Sequence, residues 1–503
     1  MARTTLNIDL NRVEGDLEFQ VDLEDRVIVD ARCVGTMFRG FEQLMLGRAP
    51  RDSLVITPRV CGICSTAHLY TAVLALENLG QIPVPPHATR IRNLCLMAEN
   101  VQSDLRQSFL FFTPDLVHHR YQHLPQAQAA EAAFAPLKGW MVRSTLAATR
   151  TLLELVAIFG GQWPHSSYMI PGGVTRPATA RDLVDCQDIV ARSIEWYEHD
   201  VIGDNLEHWL ALRHPHELFT WLEQAPRGAL GLFTRIARTM GMHHHGAGAR
   251  HFLSAGSWVA PERPDGLLLP AGIYHGDEAR QSAFEPDLIN EHVRHSWYRP
   301  YPGGRHPYIG ETIPDYQPHT DRYTWAKAPR YGDKVVETGP LAELLTGGDE
   351  LTRLLLARDG PNTWLRQLAR LRRAGLTLRL MQDQLAQLAQ ALSAPHYLPP
   401  AEGALDDGEG YGFVQAARGS LGHWLRTDKG RISHYQIITP TAWNASPRDT
   451  QGQRGHWEES VIGVQLQDPD DPIEVGHIIR AHDPCLVCTV HFTGRGGRHR
   501  YGV

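Results

Sequence analysis

Two cysteine pairs carry the clearest chemistry in this chain. Cys61-Gly62-Ile63-Cys64 is followed by His68, and Cys485-Leu486-Val487-Cys488 by His491. Thiolates bind soft metals, and two CxxC pairs make a four-sulfur site. Zinc favours such a closed tetrahedral shell, but zinc ribbons and fingers keep their two pairs close together in sequence. Here the pairs stand near opposite ends of 503 residues. A site built from them ties the chain ends together inside a large fold, which suits a buried catalytic centre. Nickel or an iron–sulfur cluster is the soft-metal alternative. The cysteines alone leave structural zinc and a catalytic metal equally open.

Composition narrows the classes. The chain is 42% hydrophobic and 21% charged, ordinary for a globular protein with a sizeable core. Its net charge of -7 comes without a block of like charges, which excludes nucleic acid and anionic membrane surfaces as evident partners. The odd cysteine count of 7, with no apolar leader in Met1 to Arg12, argues against a disulfide framework. These features predict a cytoplasmic location, free or at the cytoplasmic membrane, with export only through a signal carried by a partner. No run is long and apolar enough for a transmembrane helix.

The elements that must position the cysteines follow from periodicity. Thr4 to Val34 alternates apolar and polar residues and reads as strands, with Gly15 in a hairpin connection and Arg12 and Glu14 solvated. The stretch from Met37 to Leu44 opens a short helix that closes near Gly47, and Asp52 is a candidate cap for a segment leading to Cys61. Ser65 to Leu79 has helical spacing, which puts Cys64 at a helix N-terminus whose free N–H groups favour thiolate. Helices are predicted over about 89–112, 136–159, 177–200, 202–223 and 351–392, the last with a leucine stripe from Leu365 to Leu388. His243-His244-His245 reads as a polar loop, since adjacent residues rarely supply metal-ligand directions. Gly410 to Trp424 and Ile432 to Ile438 read as strand, and Pro472 to Arg480 as a last helix. The fold class is mainly α with α+β elements. The expected organisation is one domain over 1–503, with a β region at about 4–34, a helical-bundle core at about 60–393, a metal-binding segment at 410–491 and a cleaved tail at 492–503.

With these residues set out, the sequence resembles the large, catalytic subunit of nickel–iron hydrogenases over nearly its whole length. Arg59 to Cys64 with His68, and Asp483 to Cys488 with His491, are similar to that family's two metal motifs. Arg12-Val13-Glu14-Gly15, Phe38-Arg39-Gly40-Phe41-Glu42, Pro171-Gly172-Gly173-Val174, Ala417-Arg418-Gly419 and Tyr435 to Asn444 match further motifs in the same order. The resemblance implies that Cys61 and Cys485 are terminal nickel ligands. It makes Cys64 and Cys488 bridges to an iron bearing cyanide and carbon monoxide. Arg418 would face the open side of the metals, Thr441 would stand near a cyanide, and Asp104 would pair with Arg418. Glu14 would take a proton from Cys488 and pass it outward. Glu42, the Ile437 carbonyl and His491 would hold magnesium. Heterolytic cleavage of dihydrogen needs a Lewis-acidic metal and a nearby base, and a buried carboxylate has the raised pKa a relay needs.

Three departures accompany the match. Asp16 stands where the family often has histidine, similar to the uptake, cyanobacterial-like branch. Gln415-Ala416-Ala417-Arg418 lacks the proline common before the arginine, which predicts a looser loop. Ser103-Asp104-Leu105 lacks flanking histidines. The resemblance further implies an iron–sulfur small subunit docked near the N-terminal motifs, nickel-insertion chaperones, and an endopeptidase cutting between His491 and Phe492 so that the last segment can close the site. The alternatives are a hydrogen sensor with the same centre, a metal-free quinone-reductase subunit, and a structural zinc protein. His68 is either a donor near a thiolate or simply packed. Cys33, Cys95 and Cys186 are expected as buried thiols without a role.

Overall fold

The computed structural model describes residues 3–224, 228–263 and 266–485. Cys488, His491 and the tail 492–503 lie outside them. Strands β1 (Thr4–Asp9), β2 (Leu17–Glu24) and β3 (Val27–Gly35) form an antiparallel meander. Leu17, Phe19 and Val21 of β2, two apart, share one face and bury it, as a period of two requires. Short helix α1 (Phe41–Met45) follows, then α2 (Ser65–Gly80), α3 (Pro86–Arg106), α4 (Trp140–Gly160) and α5 (Ala180–Trp196). Helix α6 (Pro340–Thr346) precedes the long α7 (Thr363–Gln390). Strands β4 (Gly408–Ala416), β5 (Gly419–Asp428) and β6 (Arg431–Ile438) make a second antiparallel meander, and α8 (Ile473–Arg480) leads into Cys485.

Helix α3 packs against α4 and α7, and α5 packs against both α4 and α7, closing a four-helix core. The expected leucine stripe of α7 supplies its apolar side, with Leu365, Leu368, Leu371, Leu385 and Leu388 buried. Helix α2 lies directly on β4. A Cβ added at Gly410 or Gly412 would come within 2.4 Å of the Ala75 or Thr71 carbonyl oxygen, so only glycine permits that approach. At the other side, the inner face of the first sheet packs on Trp457, Val475, Ile478 and Ile479. This contact brings the chain's beginning to α8 and the segment after it.

Several expected elements differ in detail. The 351–392 helix is two helices, Glu350–Asp359 and α7, because Gly360 turns left-handed at φ 68° and Asn362 caps the second through Leu365 N–H at 2.9 Å. The 202–223 helix is also two, Leu206–Ala211 and Pro215–Gln224, each begun by its own Asn205 or Pro215. Gly410 to Trp424 is not one strand: it is broken by a two-residue turn at Ala417 and Arg418. Asp52 makes no side-chain cap bond, because Ser53 instead bonds the Pro50 carbonyl. Among the described residues, no helix is long and apolar enough to cross a membrane.

Candidate metal centre

Cys61 follows a 3-10 turn at Thr57–Arg59, and Cys64 is the N-cap of α2 as its spacing predicts. The N–H groups there are not free for the thiolate, however. Glu99 reaches across from α3 and accepts from Thr66 N–H and Ala67 N–H at 2.9 Å each, and from Trp163 Nε1 at 2.9 Å. Burial pushes the Glu99 carboxyl up to about 7 against those bonds. The cysteine turn is therefore held from behind by a carboxylate fixed on a neighbouring helix.

Cys485 arrives on irregular backbone, and most carbonyls just before it borrow a donor from elsewhere. The Arg480 carbonyl accepts from Gln107 Nε2 at 2.6 Å and the Ala481 carbonyl from Arg370 Nη1 at 2.9 Å. Arg418 Nε bonds the Asp483 carbonyl at 3.1 Å, and its Nη2 bonds Asp483 Oδ1 at 3.0 Å. Glu14 N–H donates to the Pro484 carbonyl at 3.2 Å, and Cys485 N–H to Thr441 Oγ1 at 3.3 Å. Arg480 itself bonds Asp115 at 2.7 Å and the Asn11 side chain at 2.7 Å.

These two supports bring Cys61 Sγ and Cys485 Sγ to 3.4 Å, and the sulfurs of Cys61, Cys64 and Cys485 lie within 4.8 Å of one another. All three residues are buried. Two thiolates on one metal at ~2.3 Å stand ~3.3 Å apart at a right angle and ~3.8 Å apart at a tetrahedral one. The observed gap thus fits a shared soft ion. Arg418 is 5% exposed, and its Nη1 has no hydrogen-bond partner among the described residues. Burial opposes its charge, but Asp483 and the three cysteines hold it protonated. An orphaned guanidinium N–H beside three buried thiols fits a metal group with anionic ligands of its own.

The other expected residues are placed as follows. Glu14 is half-buried, pairs its backbone with the Cys485 segment, and has its carboxyl pKa raised, first by burial and then by Cys61. Arg12, expected in solvent, bonds the Phe111 carbonyl at 2.9 Å and pairs with buried Asp115. Asp104 does not pair with Arg418. It lies 0% exposed between Arg373 and Arg370, with Arg373 Nε at 2.9 Å, while Arg418 pairs with Asp483. Asp104 sits on α3 facing α7, and the α7 arginines reach it first. His68 Nδ1 lies 3.1 Å from His423 Nε2, whose other nitrogen lies 3.0 Å from the Tyr435 hydroxyl. Burial lowers the His68 pKa to about 4, so it is a neutral member of a packed chain. Cys33, Cys95 and Cys186 are buried and form no disulfide.

Glu42 Oε1 accepts from Ile437 N–H at 3.0 Å and Gln436 Nε2 at 2.6 Å. It borders a 40 Å³ cavity with Glu291, Lys327, Gln436 and Ile437. Lys327 Nζ stands 3.4 Å from Glu291 Oε2, and burial pushes the Glu291 carboxyl up to about 7. Sequence reasoning missed Glu99, Glu291, Lys327, Asp483 and the α7 arginines. Arg366, Arg370 and Arg373 recur at spacings of four and three, a single helix face, and that pattern within the leucine-rich helix is the signal that could have found them.

Comparison with known proteins agrees with this geometry. The sequence profile of the nickel-dependent hydrogenases matches residues 39–117 and 115–491. The chain is 32% identical to the periplasmic [NiFeSe] hydrogenase large subunit of Desulfomicrobium baculatum, covering 97% of this chain and 95% of that one. It is 27% identical to the hydrogenase-2 large chain of Escherichia coli K12, covering 98% of each. It is 28% identical to the uptake hydrogenase large subunit of Rhizobium leguminosarum bv. viciae, covering 97% and 95%. The solved structure of anaerobically purified Dm. baculatum [NiFeSe]-hydrogenase superposes with a TM-score of 0.82 at 30% identity, covering 97% of this chain and 100% of that one. These enzyme names favour turnover and give no support to the sensor alternative. They also correct the expected cytoplasmic location. The D. baculatum relative is named as periplasmic, so the composition of the first residues does not fix a cytoplasmic location. The chain belongs to the nickel-dependent hydrogenase family as a large, catalytic subunit, an oxidoreductase acting on dihydrogen.

Proposed function

We propose that this chain cleaves dihydrogen heterolytically, in the uptake direction, and passes electrons to an iron–sulfur small subunit. The observation that carries this reading is the cluster of three buried thiols under the orphaned Arg418 Nη1. Cys61 and Cys485 would hold nickel terminally, and Cys64 with Cys488 would bridge it to an iron carrying cyanide and carbon monoxide. When bound, that centre supplies the Lewis acidity and the electron sink that dihydrogen cleavage needs. Arg418, always charged, holds the anionic side of the site without titrating. Thr441 fixes the Cys485 backbone. Glu14 receives a proton at its carboxylate, and its raised pKa suits a relay that must also release it. Glu42, the Ile437 carbonyl and His491 would hold magnesium. The N–H and C=O of a strand residue leave on the same side, so the Ile437 carbonyl faces the Glu42 cavity, where Glu291 offers further oxygen.

Electrons need a way out, and among the described residues Cys33, Cys95 and Cys186 do not gather with other ligands into a cluster site. The exposed Leu44 on α1, with Leu46 and Val55 between α1 and the first cysteine pair, offer apolar surface to the cluster-bearing partner. Maturation by nickel insertion and cleavage after His491 belongs to the same proposal. Metal analysis tests it: nickel and iron in equal amounts in the large subunit, counted apart from the partner's iron–sulfur clusters, infrared bands of cyanide and carbon monoxide, and hydrogen-dependent dye reduction by the heterodimer are expected. Zinc alone would overturn it, and nickel-loaded protein retaining 492–503 would overturn the cleavage step.

A further inference from the structure

Ala417 and Arg418 form the two-residue turn between β4 and β5, with Ala416 paired to Gly419. Neither turn residue takes a positive φ, whereas Gly419 does, at 130°. The Ala417 carbonyl belongs to the middle peptide of this turn, the peptide that rotates when a turn changes type. That carbonyl accepts from Arg373 Nη2 at 2.6 Å. Arg373 is 0% exposed and is itself fixed on two sides. Its Nε and Nη2 meet the two Asp104 oxygens at 2.9 and 2.5 Å, and its Nη1 meets Glu343 Oε2 at 2.8 Å. Glu343 is anchored in turn by the Ser257 hydroxyl at 2.5 Å. Burial works against the Arg373 charge, but Asp104 and Glu343 together sustain it. The guanidinium fork is thus locked by α3 and α6, and the second hydrogen of Nη2 is spent on the peptide immediately before Arg418.

We propose that Arg373 is a positioning residue for Arg418: through the Ala417 carbonyl it sets the turn's middle peptide, and so the direction in which Arg418 presents its orphaned Nη1 to the thiols. The inference rests on the reading of Arg418 as the guanidinium that faces the metals. It also accounts for an ordered turn despite the missing proline, since Arg373 supplies from the tertiary structure the stiffness a proline ring would supply locally. Lysine cannot replace it, because a point charge lacks the fork that spans Asp104 and the carbonyl.

The test uses the assembled, metal-loaded heterodimer with Arg373→Lys, Arg418→Lys, and Arg373→Lys combined with Ala417→Pro. Proline suits the first position of such a turn and restores its stiffness. In Arg373→Lys the turnover number is expected to fall by about tenfold or more, with the cyanide infrared bands displaced in the same sense as in Arg418→Lys. The added proline should recover band position and most of the rate. If Arg373→Lys does not assemble, Ala417→Gly loosens the turn without touching the buried ions and should displace the same bands. Unmoved bands in these variants, or a rate loss that proline does not recover, overturn the role of Arg373. Unchanged Arg418→Lys protein instead overturns the reading of Arg418, and the inference with it.

Discussion

The first cysteine pair and Cys485 reach the centre by opposite means. Cys61 and Cys64 stand at the start of a regular helix, and one buried carboxylate, Glu99, secures the first turn. Cys485 stands on irregular backbone, and its position is set by side chains borrowed from elsewhere: Gln107, Arg370, Arg418 and Thr441. The first half is mainly local structure with one tertiary anchor. The second is tertiary structure throughout. The difference teaches that a motif read with equal ease at both ends can depend on very different amounts of the molecule.

Five substitutions break or sharpen this contrast. Cys61→Ser and Cys485→Ser should erase it, each reducing nickel content and hydrogen-dependent dye reduction to background, since both remove a ligand outright. Arg370→Met should separate the halves. It strips the Ala481 carbonyl and leaves buried Asp104 with one fewer cation, a loss of about 3 kcal/mol by denaturant unfolding, accompanied by falling nickel retention. Glu99→Gln should weaken the helical half by about 1–2 kcal/mol, with Cys485 still seated. Its pH dependence has a definite sign. The folded carboxyl holds its proton up to about 7, against 4.5 for the free group. The stability it contributes is therefore fully present below pH 4.5 and is lost as pH rises through 7. Glu99→Gln should flatten that part of the stability profile. Thr441→Val should have the smallest effect, about 1 kcal/mol, because it removes a single acceptor from the Cys485 N–H; an unchanged midpoint would show that this bond adds nothing to docking.

Much of the site is legible in the residue order. The CxxC spacing marks Cys61, Cys64 and Cys485, and helical periodicity places Cys64 at the start of α2. The strands of both meanders follow from alternation, apart from the turn that carries Arg418. Asp104 shows where such reading stops. The family resemblance implies Arg418 as its partner, but the choice among Arg370, Arg373 and Arg418 depends on which helix faces α3. Arg12 and Glu14 show the same limit, since a charged hairpin loop looks solvated until α8 and the Cys485 segment cover it.

By itself, then, the sequence determined what neighbours along the chain can settle: which residues share a helix face, which thiols form a pair, and where a helix starts. The tertiary structure alone decided which pair meets which, which carboxylate stands behind Cys64, and which arginine holds the turn before Arg418. The reason is physical. Backbone periodicity acts over a few residues, whereas a buried charge takes its partner from whatever surfaces the packed elements bring within hydrogen-bond reach.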